Sequence, residues 1–352
     1  MTAARVALVG YGLGGSVFHA PFLASTAGLR LSAVVTGNPD RRAEVAARYP
    51  GTELIADVEE LWARAGDFDL AVISTPNRQH AGHARAAVEH GLPAVVDKPF
   101  ATTTADAVAL AALAQERGLL LAPFHNRRYD GDFRTVRRLL AERALGRVHR
   151  FESRFERWRP EVRSSWKESA DPADAGGIVF DLGSHLIDQA VALFGRPTSV
   201  YAEVAVARAD AVADDDAFLA LTHADGTRSQ LWMSALAADL GPRFRVLGNR
   251  AGFVKHGLDP QEAALRAGAT PGGAGWGEEP ESAWGRLGAL DDVRAVRTEP
   301  GAYQLFYAGV ARALAEGTPP PVRAADGVAV LEVIEAAYRS AASGETVKLN
   351  QQ

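Results

Sequence analysis

The stretch Arg5-Val6-Ala7-Leu8-Val9-Gly10-Tyr11-Gly12-Leu13-Gly14-Gly15 decides the fold. Its aliphatic run, short and unbroken by polar residues, suits a strand buried on both faces. The run opens directly into Gly10, Gly12 and Gly15, which fit G-x-G-x-x-G before a helix-compatible stretch. In that setting the first glycine permits a tight turn, the second lets a pyrophosphate approach, and the third lets helix pack closely on strand. The helix N-terminus then offers N–H groups and a partial positive charge to phosphates. With 34 glycines in the chain the motif alone says little, and its place directly after a first strand gives it meaning.

Outward from this point the pattern repeats. Residues 5–10, Leu29–Val35, 70–74, Ala94–Val96 and 119–124 read as short parallel strands. Between them, residues 41–49, 79–90 and 104–117 have helical length and spacing, and Gly91 and Gly118 follow two of their ends. Residues 1–123 are therefore expected to form a doubly wound, Rossmann-type parallel sheet that binds a dinucleotide. Beyond Phe124 the rhythm changes. A helix at 133–143 leads into alternating segments at 148–158, 199–208, 217–222, 228–235 and 244–247, with turn signals at Asp225-Gly226 and Gly248-Asn249. Residues 124–352 are thus expected to form an α+β domain with a large, mostly antiparallel open sheet. Helices at 182–194 and 326–343 belong to it, and 267–288 reads as a long ordered loop.

Composition removes several classes of function. At ~100–200 residues per domain, 352 residues favour two domains. A hydrophobic share of 47% excludes global disorder, and a net charge of −5 supplies no field for nucleic acid or acidic lipid. The chain contains no cysteine, so disulfides, thiolate metal sites and a cysteine nucleophile are excluded together. The start Met1-Thr2-Ala3-Ala4-Arg5 enters an apolar run at once and leaves no room for a secretory signal, so a cytoplasmic location is expected. The stretch 105–124 is interrupted by Asp106, Gln115, Glu116 and Arg117 and reads as helix then strand, not as a membrane span.

The second strand bears on the cofactor. An NAD site usually carries an acidic residue there for the ribose 2′-hydroxyl. Here Thr36, Gly37 and Asn38 follow the strand, with Arg41 and Arg42 just beyond. Thr36 does not repel a 2′-phosphate, Asn38 can donate to one and the arginines can neutralise it, so NADP is favoured over NAD. At the end of the fourth apolar strand stands Asp97-Lys98-Pro99. Ligands of this fold bind at that edge, and the lysine can donate to an alcohol oxygen and support a developing alkoxide. Downstream, Gly176-Gly177 leads into Phe180-Asp181-Leu182-Gly183-Ser184-His185. On a helix Asp181 and His185 share one face, and the glycines let that face approach a ligand. A neutral histidine can take an alcohol proton, and a nearby carboxylate orients its ring.

These motifs, with Thr75-Pro76-Asn77 and His80, resemble the Gfo/Idh/MocA oxidoreductases over essentially the whole chain. Within that family the NADP-dependent scyllo-inositol dehydrogenases are the most similar, through residues 14–21, 124–130 and 181–189. The resemblance implies that Lys98 positions substrate and nicotinamide, that His185 is the acid/base, and that Asp181 tunes and orients it. It also implies a cofactor groove lined by Gly10, Tyr11, Gly12, Leu13, Gly14, Gly15, Thr36, Asn38, Arg41, Ser74, Thr75, Pro76, Asn77, His80, Asp97, Lys98 and Asn126. Asn126, Arg127 and Tyr129 would face the substrate, and Trp166 joins Lys98, Asp181 and His185 as a substrate contact. Two departures stand out: Asp97 replaces the family's usual glutamate, and Asn38 stands where close relatives have arginine. The implied activity is hydride transfer between a nicotinamide cofactor and a secondary alcohol or ketone of a cyclic polyol or sugar. The alternatives are another sugar, carbonyl or imine substrate, or a non-catalytic dinucleotide-sensing regulator. A homodimer or homotetramer is expected from relatives.

Several further features carry plainer expectations. His80 and His83 have metal-like spacing without a third ligand, so no metal is expected and His83 reads as surface. Asp214-Asp215-Asp216 reads as a solvated run before a strand. Trp158, Trp166, Trp232, Trp276 and Trp284 read chiefly as core or subunit contacts. Arg127 and Arg128 read as functional, with a structural ion pair as the alternative.

Overall fold

The computed structural model describes residues 2–162 and 165–350. They form two compact units, the first made of Met1–Asn126, Gln261–Ala274 and Tyr303–Val328, the second of Arg127–Pro260, Gly275–Ala302 and Ala329–Gln352. The fold class is α/β, with one parallel and one mostly antiparallel sheet.

In the first unit six strands pair in parallel: β1 (Ala4–Val9), β2 (Leu29–Val35), β3 (Glu53–Ile55), β4 (Leu70–Ile73), β5 (Ala94–Val96) and β6 (Leu121–Pro123). Their order is β3-β2-β1-β4-β5-β6. Val6, Ala7 and Leu8 of β1, all of β4 and all of β5 are fully buried, as unbroken aliphatic strands covered on both faces must be. Each Val or Leu so enclosed contributes ~1.5–3 kcal/mol. β3, only Glu-Leu-Ile, is too short to show a pattern. The chain runs outward from β1 to β3 and then returns to β4 on the other side of β1. The carboxyl ends of β1 and β4 therefore flank the crevice where ligands of such sheets bind.

Two later stretches belong to this unit, where a single division at 123/124 assigns them to the second. One of them carries the helix Gln304–Glu316, whose buried face of Phe306, Tyr307, Val310 and Ala313 lies in the first unit. Tyr303 packs on Phe22 with ring centroids 6.4 Å apart, and Phe306 packs on Phe124 at 4.8 Å.

The second unit is built on nine strands: β7 (Val148–Glu156), β8 (Pro197–Ala205), β9 (Asp216–His223), β10 (Arg228–Ser234), β11 (Phe244–Gly248), β12 (Gly252–Lys255), β13 (Gly285–Ala289), β14 (Asp292–Val296) and β15 (Val347–Lys348). Their order is β14-β13-β12-β11-β7-β10-β9-β8-β15, and only β10 with β7 is parallel. Ala217, Leu219 and Leu221 of β9 are buried while their neighbours are not, the alternation of a strand with one covered face. The helix Ser184–Phe194 packs on β7 and β10 through a stripe that includes Leu186, Ile187 and Ala190. It ends the one described stretch, Pro172–Phe194, that is long and apolar enough to cross a membrane; 67% of that window is buried within the protein.

Two expectations change here. Residues 267–288 are not wholly loop, because β13 begins at Gly285, where a Cβ would stand 2.4 Å from the Phe253 ring. A strand reading Gly-Arg-Leu-Gly-Ala has too few large apolar residues to announce itself. The acidic run is not solvated either. Asp215 is 1% exposed and pairs with Arg208 at 2.8 Å. Asp214 accepts from the Val179 amide at 2.9 Å and from the Tyr338 hydroxyl at 2.8 Å. Only Asp216 is exposed.

Candidate active site

The phosphate-binding turn lies at the carboxyl end of β1. Gly10 has φ +96°, and a Cβ on it would stand 2.4 Å from the Ser74 carbonyl oxygen, so no other residue fits this close approach to the end of β4. A Cβ at Gly15 would meet the Gly10 carbonyl oxygen at 2.3 Å, whereas at Gly12 it would meet nothing within 4 Å. The turn is thus closed against the sheet and open outward. It continues into a π-helical segment, Gly14–His19, a wide turn often associated with functional sites. The Tyr11 ring is buried, and its hydroxyl is 3.4 Å from Glu44 Oε1. Leu13 is exposed. The Thr75 hydroxyl, beside the Gly10 turn, is buried with no hydrogen-bond partner among the described residues. An outward-open glycine turn with an unanswered hydroxyl beside it fits a dinucleotide phosphate.

The end of β2 divides its polar residues by task. Asn38 Oδ1 accepts from the Arg41 amide at 3.0 Å and caps the helix Pro39–Arg48. Arg42 reaches the carbonyls of Thr36 and Leu54, each at 3.3 Å. Thr36 is buried, and Arg41 is left exposed on the first turn of the helix.

After β5, Asp97 is the centre of a polar cluster. Its Oδ1 accepts from the Lys98 amide at 2.8 Å, and its Oδ2 accepts from Ser74 Oγ at 3.2 Å. His19 Nε2 stands 3.3 Å from Oδ2 but is not aligned as a hydrogen bond. Burial pushes the Asp97 carboxyl upward, but the His19 and His80 imidazoles and the Lys98 charge outweigh it and hold the group well below the usual carboxylate range. The Lys98–Pro99 peptide is cis. Pro76 precedes the helix Asn77–Glu89, whose first residue, Asn77, is buried. His80 does not line a groove: it is 1% exposed, with Nδ1 2.7 Å from the Pro99 carbonyl and Nε2 2.8 Å from the Thr75 carbonyl. Burial pushes its pKa below the ordinary value despite the pull of Asp97 and the two carbonyls. His83 is half-buried beside Trp62. Asn126, which ends this part of the unit, is 5% exposed.

The second unit carries the other expected groups. His185 is 7% exposed on the helix Ser184–Phe194, its ring stacked 6.4 Å from Phe155. Asp181 precedes it on a second π-helical segment, Val179–Gly183. The Asp181 carboxylate has cationic partners absent from the sequence reading: Lys167 Nζ at 2.7 Å and Arg157 at 3.8 Å. The glycines before it are required by the protein's own packing. A Cβ on Gly176 would meet the Ser169 carbonyl at 2.3 Å, and one on Gly177 would meet Asp214 Oδ1 at 2.1 Å.

Arg127 lies over the Phe155 ring at 4.7 Å and 3.5 Å from Asp130. Arg128 is structural: it grips Asp188, 2% exposed, through bonds of 2.6–3.1 Å. Tyr129 is half-buried at the end of the turn Asn126–Tyr129, and Trp166 is half-buried beside Lys167. Trp158 is exposed, and Trp232 stacks with Phe218 and Arg154. Among the described residues no three His, Asp or Glu side chains are grouped to hold a metal ion. Sequence reasoning missed His19, Lys167 and Arg157. Their types are common and their partners lie 14 to 78 positions away, so no local spacing marks them.

Comparison with known proteins gives the family. Residues 4–125 match the oxidoreductase family with an NAD-binding Rossmann fold (GFO_IDH_MocA), and residues 137–349 match its C-terminal alpha/beta domain. The chain is 34% identical to scyllo-inositol 2-dehydrogenase (NADP(+)) IolW of Bacillus subtilis (strain 168), covering 98% of this chain and 96% of that one. It is 40% identical to the oxidoreductase YdgJ of Escherichia coli (strain K12), covering 98% of each. The solved structure of yvaA from Bacillus subtilis superposes with a TM-score of 0.92 at 33% identity, over 99% of this chain and 100% of that one. The chain therefore belongs to the Gfo/Idh/MocA family and is an NAD(P)-binding oxidoreductase.

Proposed function

We propose that the protein is an NADP-preferring dehydrogenase of a secondary alcohol on a cyclic polyol or sugar, with scyllo-inositol and its ketone as the first candidates. The observation that carries the reading is the contact between phosphate turn and lysine turn: a Cβ on Gly14 would stand 2.6 Å from Asp97 Oδ2, one residue before Lys98. Cofactor phosphates and a cationic donor thus belong to one small region of the first unit. The nicotinamide, when bound, supplies the hydride acceptor or donor. Lys98 donates to the substrate oxygen and stabilises the charge that grows on it. His185 takes or returns the hydroxyl proton, and Asp181 sets its orientation.

Preference for NADP rests on Arg41, exposed where the 2′-phosphate would lie, with no acidic residue at Thr36. The name of the similar Bacillus subtilis protein, scyllo-inositol 2-dehydrogenase, supports the polyol class, and another sugar or carbonyl substrate is the second reading. A homodimer or homotetramer in the cytoplasm, without nucleic-acid or membrane partners, completes the proposal.

The test is a panel of inositols and aldoses with NAD and NADP, read by nicotinamide absorbance. Turnover of inositols with NADP is expected. Activity with NAD alone would overturn the cofactor preference, and inactivity on every polyol would overturn the substrate class. Lys98→Ala and His185→Ala are each expected to cost ~10²–10⁴ in turnover.

A further inference from the structure

The turn Asp97-Lys98-Pro99 is held by two buried histidines, one on each side of the lysine. On one side His19 Nε2 faces Asp97 Oδ2 at 3.3 Å, and its Nδ1 is 2.5 Å from the Tyr307 hydroxyl. On the other side His80 Nδ1 is 2.7 Å from the Pro99 carbonyl, and its Nε2 is 2.8 Å from the Thr75 carbonyl. Proline has no N–H, so that carbonyl is its only strong hydrogen-bonding group. His19 and Tyr307 are fully buried and His80 is 1% exposed.

Three of the four ring nitrogens lie within hydrogen-bond distance of a partner in the first unit, a neutral His80 donating to one of its two carbonyls, and the fourth, His19 Nε2, faces Asp97 Oδ2; both rings are buried. Simple packing does not account for them, because a buried polar ring costs stability unless its nitrogens find partners, and an apolar side chain would fill the same space. What the two rings share is their target. They face residues 97 and 99, on either side of the lysine. Each also ties that turn to a second element. His19 belongs to the π-helical segment that continues the phosphate turn, and His80 bridges to Thr75 at the end of β4.

We infer that His19 and His80 are positioning residues for Lys98, joining the lysine turn to the phosphate turn and to the Thr75 loop. This rests on the reading that Lys98 assists the reaction. The test combines His19→Leu, His80→Leu and the milder His19→Gln and His80→Gln with Lys98→Ala in double-mutant cycles. Turnover is measured together with NADPH affinity from nucleotide fluorescence, on variants whose folding is checked by thermal melting.

Each single histidine-to-leucine change is expected to lower kcat by ~10–100-fold, the loss that a misplaced catalytic group produces, while the NADPH Kd stays within ~3-fold. The glutamine variants, which keep one donor, are expected to fall between wild type and the leucine variants. They carry the test alone if a leucine variant does not fold. In the Lys98→Ala background the histidine changes are expected to cost nothing further, because the group they position is gone. A merely structural histidine would lower turnover equally with or without the lysine, and that result overturns the inference. So does a loss of NADPH affinity as large as the loss in kcat. Wild-type turnover by Lys98→Ala itself would instead refute the assignment of Lys98, a separate failure.

Discussion

Lys167 Nζ lies 2.7 Å from Asp181 Oδ1, so the carboxylate expected to tune His185 is itself tuned by a cation 14 residues upstream. Lys167 is 42% exposed, and ion pairs that solvent reaches are worth ~0–1 kcal/mol. Removing the cation leaves the Asp181 charge less compensated and favours protonation of any imidazole it faces. Lys167→Met is therefore expected to move the acid-side limb of kcat/KM upward by ~0.5 pH unit, since one unit corresponds to ~1.4 kcal/mol. The check is a pH–rate profile of both enzymes; an unmoved limb would show that Asp181 does not communicate with the titrating group.

Arg41 is the group expected to distinguish the two nicotinamide cofactors. Asn38 Oδ1 caps the helix and Arg42 reaches two carbonyls, while the Arg41 guanidinium is exposed on that turn. A charged hydrogen bond contributes ~1.5–3 kcal/mol, so Arg41→Ala is expected to raise the KM for NADP by ~10–100-fold. The KM for NAD is expected to stay nearly constant. Equal changes for both cofactors would place the 2′-phosphate elsewhere.

The same contrast shows what the sequence could and could not reveal. The parallel sheet was legible because β4 and β5 are wholly aliphatic and buried, and β1 and β2 end in buried aliphatic runs. The lysine and histidine motifs were legible because they stand at element ends. The duties of Asn38 and Arg42 were not, since a capping side chain and a phosphate ligand require the same residue types. The two π-helical segments were equally hidden: Gly14–His19 and Val179–Gly183 carry no residue pattern that an ordinary helix start lacks. Asp214 and Asp215 misled for a related reason. Three acidic residues in a row suggest solvent, and only the fold brings Val179, Tyr338 and Arg208 to them.

Buried neutral histidines make the fold sensitive to acid. His223 is 2% exposed, with Nδ1 2.8 Å from the Gly195 carbonyl and Nε2 2.8 Å from Ser229 Oγ. A neutral ring satisfies both, donating from Nδ1 and accepting at Nε2. Burial lowers the pKa of His223, as it does that of His80. A lowered folded value means stability that is fully present above the unfolded value of ~6.5 and lost as pH falls through the folded one. Asp97, also lowered, adds a loss at more acidic pH. Asp130 and Asp214, raised by burial, work in the opposite direction. His223→Gln isolates the histidine: between pH 7 and pH 5 its melting temperature is expected to fall less than that of wild type. Parallel curves would show that His223 does not titrate on unfolding.

Arg128 and Asp188 test the assignment of a conspicuous arginine to structure. Removing one partner of a buried ion pair leaves an uncompensated charge and costs ~3–5 kcal/mol. Arg128→Ala is expected to lower the unfolding free energy from denaturant melts by that amount while kcat per folded molecule stays within ~2-fold. A large fall in kcat with an unchanged midpoint would move Arg128 into the substrate site.

Gly177 sets the geometry of the π-helical segment that carries Asp181. Its φ is +90°, a region that costs an L-residue ~1–2 kcal/mol, and a Cβ there would stand 2.1 Å from Asp214 Oδ1. Asp214 has little room to yield, because its oxygens accept from Val179 N and Tyr338 Oη. Strain and overlap together are expected to cost ~2–4 kcal/mol in Gly177→Ala. If the overlap is the larger part, trimming the carboxylate in Gly177→Ala/Asp214→Gly should cost less than the sum of the two single changes. The strain at φ +90° would remain, so recovery is expected to be partial. Additive losses in urea unfolding would place the whole cost in the backbone, and an unaffected Gly177→Ala would mean that this turn can shift without disturbing the segment.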